Sequence, residues 1–258
     1  MSTASNQTLN YFISGASRGI GYQLVLAILE RQPDAVIFAG ARDPATANDL
    51  NQVASKHSNV HVVKLVADDE ESNKQAVEEI KKFTDRLDVV VANAGIASGL
   101  DPVHTVDASV YRKQFEVNTL GPLFMYKATY PLLIETREKD SNLPAPKFFV
   151  TSSGLGSLGG FYSTFIVAPY GMSKAAVNYL ALSIHHQTEK VGAVVIPYHP
   201  GLVMTDMNTK SNVDVSGFPG AISPEQSGAE FADLIIKATR AEHGGKFFGQ
   251  GTEGPLPW

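Results

Sequence analysis

The sequence predicts an α/β protein: a Rossmann-like, doubly wound parallel sheet of about seven strands with helices on both faces. Apolar runs of four to seven residues alternate with stretches of helical periodicity, the pattern of parallel strands buried on both sides. The first run breaks into three closely spaced glycines that open a helix. No repeat and no Pro/Gly/Ser linker interrupts the 258 residues, so one dinucleotide-binding domain over 1–258 is expected, with residues 1–9 as a polar arm.

Taken in order, Tyr11–Ser14 (YFIS) is the first strand, and Ile20, Leu24, Val25, Ile28 and Leu29 give the first helix its apolar stripe. Ala35–Gly40 (AVIFAG) reads as a second strand, ATANDLNQVASKH as a helix and Val60–Val66 (VHVVKLV) as a third strand. In the next helix Ser72 is placed to cap, and Ala76, Val77, Ile80 and Phe83 form the inner stripe. Lys74 with Glu78 and Glu78 with Lys82 are spaced as i,i+4 pairs on its wet face. Asp88–Val91 (DVVV) is a fourth strand, followed by a long helical stretch over 107–138, and SNLPAP at 141–146 merely joins that helix to a fifth strand, Lys147–Ser153. Tyr170–Glu189 is helical, Ala193–Tyr198 (AVVIPY) is a sixth strand, and Ser223, Pro224 and Gln226 make a capping box for the last helix. Gly245–Gly249 (GKFFG) completes the seven.

Composition narrows the function. Twenty-one Lys and Arg against 26 Asp and Glu give a net charge of −5, so nothing draws the chain broadly to nucleic acid or anionic membrane. Without cysteine there is no disulfide, thiolate zinc site or cysteine nucleophile. The start MSTASNQTLN lacks the basic-then-apolar layout of a secretory signal, and no apolar run approaches the ~20 residues of a membrane span. A cytoplasmic protein is expected.

Gly15, Gly19 and Gly21 leave the first strand and open the first helix, where bare backbone and the helix N-terminus can meet a pyrophosphate. The spacing is G-x-x-x-G-x-G, and no Gly-Lys-Ser/Thr follows to make a Walker loop. The second strand ends in Ala39, Gly40, Ala41 and Arg42, with no acid to hold a ribose 2′-hydroxyl. Arg18 and Arg42 could instead clamp a 2′-phosphate, although either alone would read as a solvated surface charge. The expected cofactor is NADPH/NADP.

Tyr170 and Lys174 lie four apart on a helix, which places phenol and ammonium one turn apart on one face. A neighbouring cation favours the phenolate and makes the phenol a better general acid. By itself the spacing occurs by chance in many helices, and the reading of a half-buried tyrosine with a snorkelling lysine is preferred.

At this point the chain resembles the short-chain dehydrogenase/reductase family, from Tyr11 to about Thr205 by motif and onward by element order. SGASRGIG at 14–21, which contains Gly15, Ser17, Arg18, Gly19, Ile20 and Gly21, stands for the family's TGxxxGxG. Ala92, Asn93, Ala94 and Gly95 stand for its NNAG, with Asn118 in the fourth helix and Ser152 and Ser153 after the fifth strand. Tyr170, Ser173 and Lys174 follow, and Pro200, Gly201, Val203 and Thr205 match its PG segment beside the nicotinamide. The resemblance implies reduction of a ketone or aldehyde, with Tyr170 protonating the carbonyl oxygen and Ser153 holding it. Lys174 would bind the ribose and depress the tyrosine pKa, and the backbone carbonyl of Asn118 would hold a relay water. It also implies a homodimer or homotetramer.

The pattern departs from the family in places. Ser14 and Ala92 replace Thr and Asn, altering a hydrogen bond each, and the acid usual after the third strand falls on Val66 or Asp68, of which Asp68 is carried. Spacing to Tyr170 favours Ser157 as the catalytic serine, whereas the strand-end motif favours Ser153 and requires an insertion, GLGSLGGFYSTFIVAP. Aromatics of that insertion, Phe161, Tyr162 and Phe165, either wall a substrate pocket or pack on a neighbouring subunit. Met204, Met207 and the stretch to Phe218 would face them.

Other chemistry fits less well. Gly171 to Ala175 approaches a hydrolase elbow, but its Ser173 falls inside a helix instead of directly after a strand. His57 and His61 straddle a strand entry, and His185 and His186 point to different faces, so no metal is called for. A nucleotide-binding sensor with little turnover is the alternative from another class.

Overall fold

The computed structural model describes residues 8–98, 101–162, 167–205 and 218–258. Seven parallel strands form one sheet in the order β3-β2-β1-β4-β5-β6-β9. They are β1 (Asn10–Ile13), β2 (Val36–Ala41), β3 (Val60–Lys64), β4 (Val89–Ala92), β5 (Lys147–Thr151), β6 (Val194–His199) and β9 (Phe248–Gly249). The expected Rossmann-like architecture is therefore present. Its strand order reverses between β1 and β4, the point where such sheets open a crevice at the carboxyl ends of their strands.

Alternation along each strand feeds two cores. Tyr11 and Ile13 face one layer with Leu24 and Ile28 of α1 (Gly19–Arg31) and Phe231 and Ile235 of α8 (Pro224–Lys237). Phe12 faces the other, with Ile80 of α3 (Glu70–Ile80), Met125 of α5 (Gly121–Tyr130) and Val177 and Ala181 of α7 (Ala168–Gln187). Each fully buried Leu, Ile or Phe of these layers contributes about 1.5–3 kcal/mol. The sheet is thus a stiff platform for whatever its carboxyl edge carries.

Several local expectations need correcting. The cap of α3 is Asp69, whose carboxylate accepts from Ser72 N at 3.0 Å; Ser72 is inside the helix and its Oγ accepts from Val66 N at 3.0 Å. That bond ends β3 at Lys64, short of the expected Val66. The wet-face pairs are i,i+3 instead of i,i+4: Lys74–Glu71, Lys81–Glu78 and Lys82–Glu79. Phe83 lies past the helix end, 58% exposed, its ring 4.2 Å from that of His61, which accounts for His61 as packing.

The long helical stretch is segmented. α4 (Ala108–Phe115), α5 and α6 (Thr136–Lys139) are joined by π-turns at Glu116–Leu120 and Pro131–Glu135. Phe248–Gly249 of the expected seventh strand pair with β6, while Gly245, at φ +68 beside the ring of His185, makes a separate bond from its N to Val195 O at 2.9 Å. A second small sheet, β7 (Leu202–Val203) with β8 (Ala221–Ile222), was not foreseen. Ser223 caps α8 by accepting from Gln226 N, as expected. No helix among the described residues is long and apolar enough to cross a membrane.

Candidate active site

The turn after β1 is built so that backbone packs on backbone. Gly15 and Gly19 take φ +65 and +57, where L side chains are strained, and a Cβ on Gly21 would stand 2.3 Å from Gly15 O. Ser14 ties this turn to the end of β4: its Oγ accepts from Asn93 N at 2.9 Å and Ala94 N at 3.0 Å. Asn93 returns the contact, donating from Nδ2 to Ser14 O and accepting from Thr151 Oγ1 at 3.2 Å. The serine at position 14 therefore keeps its hydroxyl in use. Across the crevice Thr205 Cγ2 lies 3.6 Å from where a Gly19 Cβ would be. Ser227 Oγ holds Pro200 O at 2.8 Å, Gly201 turns at φ +89, and Val203 is pinned in the small sheet.

Arg18 stands at the N-cap of α1 and Arg42 directly after β2, both exposed and both on the edge where the adjacent strands β1 and β2 end. Asp68 is engaged by Lys113 of α4. Burial would raise its carboxyl, but the Lys113 hydrogen bond together with the charges of Lys113 and Arg42 holds it below the usual range. Asp68 is thus half of a charge cluster in which two cations surround one anion.

The serine, tyrosine and lysine meet at the ends of β5 and α7. Ser153 is 6% exposed; its hydroxyl accepts from Leu155 N at 3.2 Å, and it lies near enough to the Tyr170 phenol to lower that group's pKa. Ser157 is turned elsewhere, donating to Pro257 O at 2.7 Å and accepting from Gly160 N at 2.8 Å. Lys174 is 3% exposed, and its Nζ donates to Thr151 O at 2.7 Å and lies 5.5 Å from the centre of the Tyr170 ring. The same Nζ is 3.6 Å from where a Gly95 Cβ would be, so the glycine leaves its approach open.

The expected depression of the tyrosine pKa is not found in the protein alone. Burial pushes the Tyr170 phenol up to about 12, only partly opposed by the Ser153 hydrogen bond, and burial pulls the Lys174 ammonium down to about 7. The lysine lies over the ring face and has lost much of its own charge near neutral pH, so desolvation outweighs attraction.

Asn118 is fully buried in the first π-turn. Its Oδ1 accepts from Ile96 N, and its Nδ2 donates to Ile96 O at 2.8 Å and Ser173 Oγ at 3.0 Å. Ser173 Oγ in turn donates to Tyr170 O at 2.7 Å. Ser173 and Thr151 O are hydrogen-bond partners of Tyr170, Asn118 and Lys174 that the sequence reading gave no role. The strand-plus-helix context carried a signal for Ser173, inside YGMSK, but none for a backbone carbonyl. Of the insertion, Phe161 and Tyr162 are exposed and Phe165 lies outside the described residues; on the facing stretch Met204 and Phe218 are exposed and Met207 lies outside the described residues.

A family profile described as short chain dehydrogenase matches residues 10–216. An uncharacterised oxidoreductase of Schizosaccharomyces pombe is 34% identical over 247 residues, covering 92% of this chain and 94% of its own. The carbonyl reductase Sniffer of D. melanogaster superposes with a TM-score of 0.87 at 25% identity, covering 98% of this chain and all of its own. An NADPH-bound carbonyl reductase from chicken fatty liver shares the fold, with a TM-score of 0.88 at 24% identity over 98% of this chain and 95% of its own. Fold, glycine turn and the Ser153, Tyr170 and Lys174 cluster agree with that match, and the chain belongs to the short-chain dehydrogenase family of oxidoreductases.

Proposed function

We propose that this protein is an NADPH-dependent carbonyl reductase that converts a ketone or aldehyde to an alcohol. The observation that carries the reading is the meeting of Ser153, Tyr170 and Lys174 at the carboxyl edge of the sheet, beside a glycine turn walled by backbone. Similarity to Sniffer, a carbonyl reductase, supports the reaction class.

The residues present fit a dinucleotide. Gly15, Ser17, Gly19, Ile20 and Gly21 offer a side-chain-poor turn at the N-terminus of α1 to a pyrophosphate. Arg18 and Arg42, supported by Lys113, supply cations for a 2′-phosphate, with Asp68 held in ion pairing at that end. Asn93, Ala94 and Gly95 form the floor, while Pro200, Gly201, Val203 and Thr205 close the far side. Lys174 meets one acceptor among the described residues, Thr151 O, and so retains protons for ribose hydroxyls. Bound there, the reduced nicotinamide supplies the hydride.

The chain's own residues handle the oxygen. Ser153 donates to the substrate carbonyl oxygen and fixes its position, and Tyr170 gives that oxygen a proton as carbon is reduced. A phenol near 12 is fully protonated at neutral pH, and transfer to an alkoxide, whose conjugate acid is far weaker than the phenol, still runs downhill. Lys174 faces the phenolate left behind, and Asn118 holds the first turn of α7 through Ser173. No sign of a lost catalytic group favours the sensor reading.

Tyr170→Phe tests this. It should cut kcat by about 10²–10⁴-fold while NADPH binding, followed by nucleotide fluorescence, changes little. Turnover within a few-fold of the parent would remove Tyr170 from the proton transfer.

A further inference from the structure

Among the groups the reaction leaves unused, His199 is the one placed at the site. It ends β6 directly before Pro200 and Gly201. Register pairs Thr151 of β5 with Tyr198 of β6, so Ser152 and Ser153 leave one strand beside His199 leaving the other. Tyr198 is directed to the α8 layer, its ring 4.3 Å from that of Phe231. The next side chain must take the opposite face, where α7 carries Tyr170. Ser152, bonded to Asn178 of α7, confirms the direction of that face.

The ring edge of His199 looks onto the residue that follows Ser153. A Cβ on Gly154 would lie 3.6 Å from both His199 Cδ2 and His199 Nε2, and 3.5 Å from Tyr162 Cε2. His199 and Tyr162 thus flank a glycine whose missing side chain leaves room. The residue is partly exposed, yet its Nδ1 is sealed from solvent with no hydrogen-bond partner. Because a buried N–H without an acceptor is rarer than a bare acceptor, the proton belongs on Nε2.

We propose that His199 is a specificity-determining residue, donating from Nε2–H to a substrate oxygen other than the one Tyr170 protonates. The class selected is a ketone with a second oxygen a few bonds from its carbonyl carbon, such as a keto ester, over a plain alkyl ketone. Burial keeps the imidazole neutral, its pKa pulled down to about 4, so the donor is constant from pH 5 upward. The proposal rests on the reductase reading above.

The test compares ethyl acetoacetate with 2-heptanone, equal in chain length, in wild type, His199→Phe and His199→Gln. In His199→Phe the ratio of kcat/KM for the two ketones should fall about tenfold, with NADPH binding unchanged. His199→Gln, which keeps an N–H donor, should restore most of that ratio. Parallel losses on both ketones, or a ratio that does not move in either variant, would overturn the role of His199 while leaving the reductase intact. A wild type that oxidises neither NADPH nor NADH with either ketone would instead remove both readings.

Discussion

Replacing Lys174 with methionine should make the protein without cofactor more stable near neutral pH, although it removes a site residue. The ammonium is 3% exposed and meets a single carbonyl, and burial brings its pKa from 10.5 to about 7. Between those values the unfolded chain holds a proton that the folded chain has released, so stability rises with pH across that window. Below pH 7 both states are protonated and the full penalty of about 5 kcal/mol applies, at 1.36 kcal/mol for each tenfold. Between pH 7 and pH 9 roughly half of it is recovered. With an unfolding entropy of about 2.1 cal/mol/K per residue, that corresponds to about 5 °C in Tm. Methionine fills the space without the charge, and the loss of one hydrogen bond to Thr151 O does not vary with pH. Thermal unfolding of both proteins at pH 7, 8 and 9 should show the wild-type Tm climbing about 5 °C more than that of Lys174→Met. Lys147, also lowered by burial, titrates in both proteins and cancels in the difference. Identical pH responses would refute the argument.

The remaining tests separate roles at the same edge. Arg18→Ala and Arg42→Ala should each lower the preference for NADPH over NADH by about tenfold in kcat/KM, since each removes a charge-assisted hydrogen bond of about 1.5–3 kcal/mol; an unmoved ratio would sink the 2′-phosphate assignment. Ser153→Ala should cost about a hundredfold in kcat with little change in Tm. Ser157→Ala should do the reverse, losing about 1–2 kcal/mol of stability with its two hydrogen bonds while kcat holds. The opposite pattern would transfer the catalytic role to Ser157.

Much of this was legible because it is carried by short-range pattern. The continuous apolar strand runs, the glycine turn and the Ser223 cap depend on neighbours in sequence, and each is where the residues put it. Local spacing misled where tertiary partners intervened. Asp69 rather than Ser72 caps α3 because Ser72 Oγ is taken by Val66 N, and Gly245 takes a left-handed turn beside the ring of His185, which leaves Phe248–Gly249 as the paired part of its stretch. The choice between Ser153 and Ser157 was open for the same reason: spacing counts residues, but only the fold shows that Ser157 is bonded to Pro257, far away in sequence. Electrostatics was least legible, since a lysine one turn from a tyrosine says nothing of how deeply both are buried.

That depth explains why the catalytic helix needs an external clamp. A tyrosine and a lysine that both resist ionisation in place gain nothing from each other's charge before cofactor arrives, so their positions must be fixed by neutral contacts. The π-turn at Glu116–Leu120 provides them. It adds one residue to a helical turn and presents two consecutive side chains to α7. Asn118 donates to Ser173 Oγ, Thr119 Oγ1 donates to Ser173 O at 2.9 Å, and Ser173 Oγ donates to Tyr170 O. Asn118 also holds both backbone groups of Ile96, one residue beyond Gly95. One asparagine therefore ties the helix that bears Tyr170 to the loop just after Gly95. A regular α-turn at this point would rotate one of these partners off the α7 face, and Ser173 would lose one of its two bonds to the turn while its own bond to Tyr170 O remained.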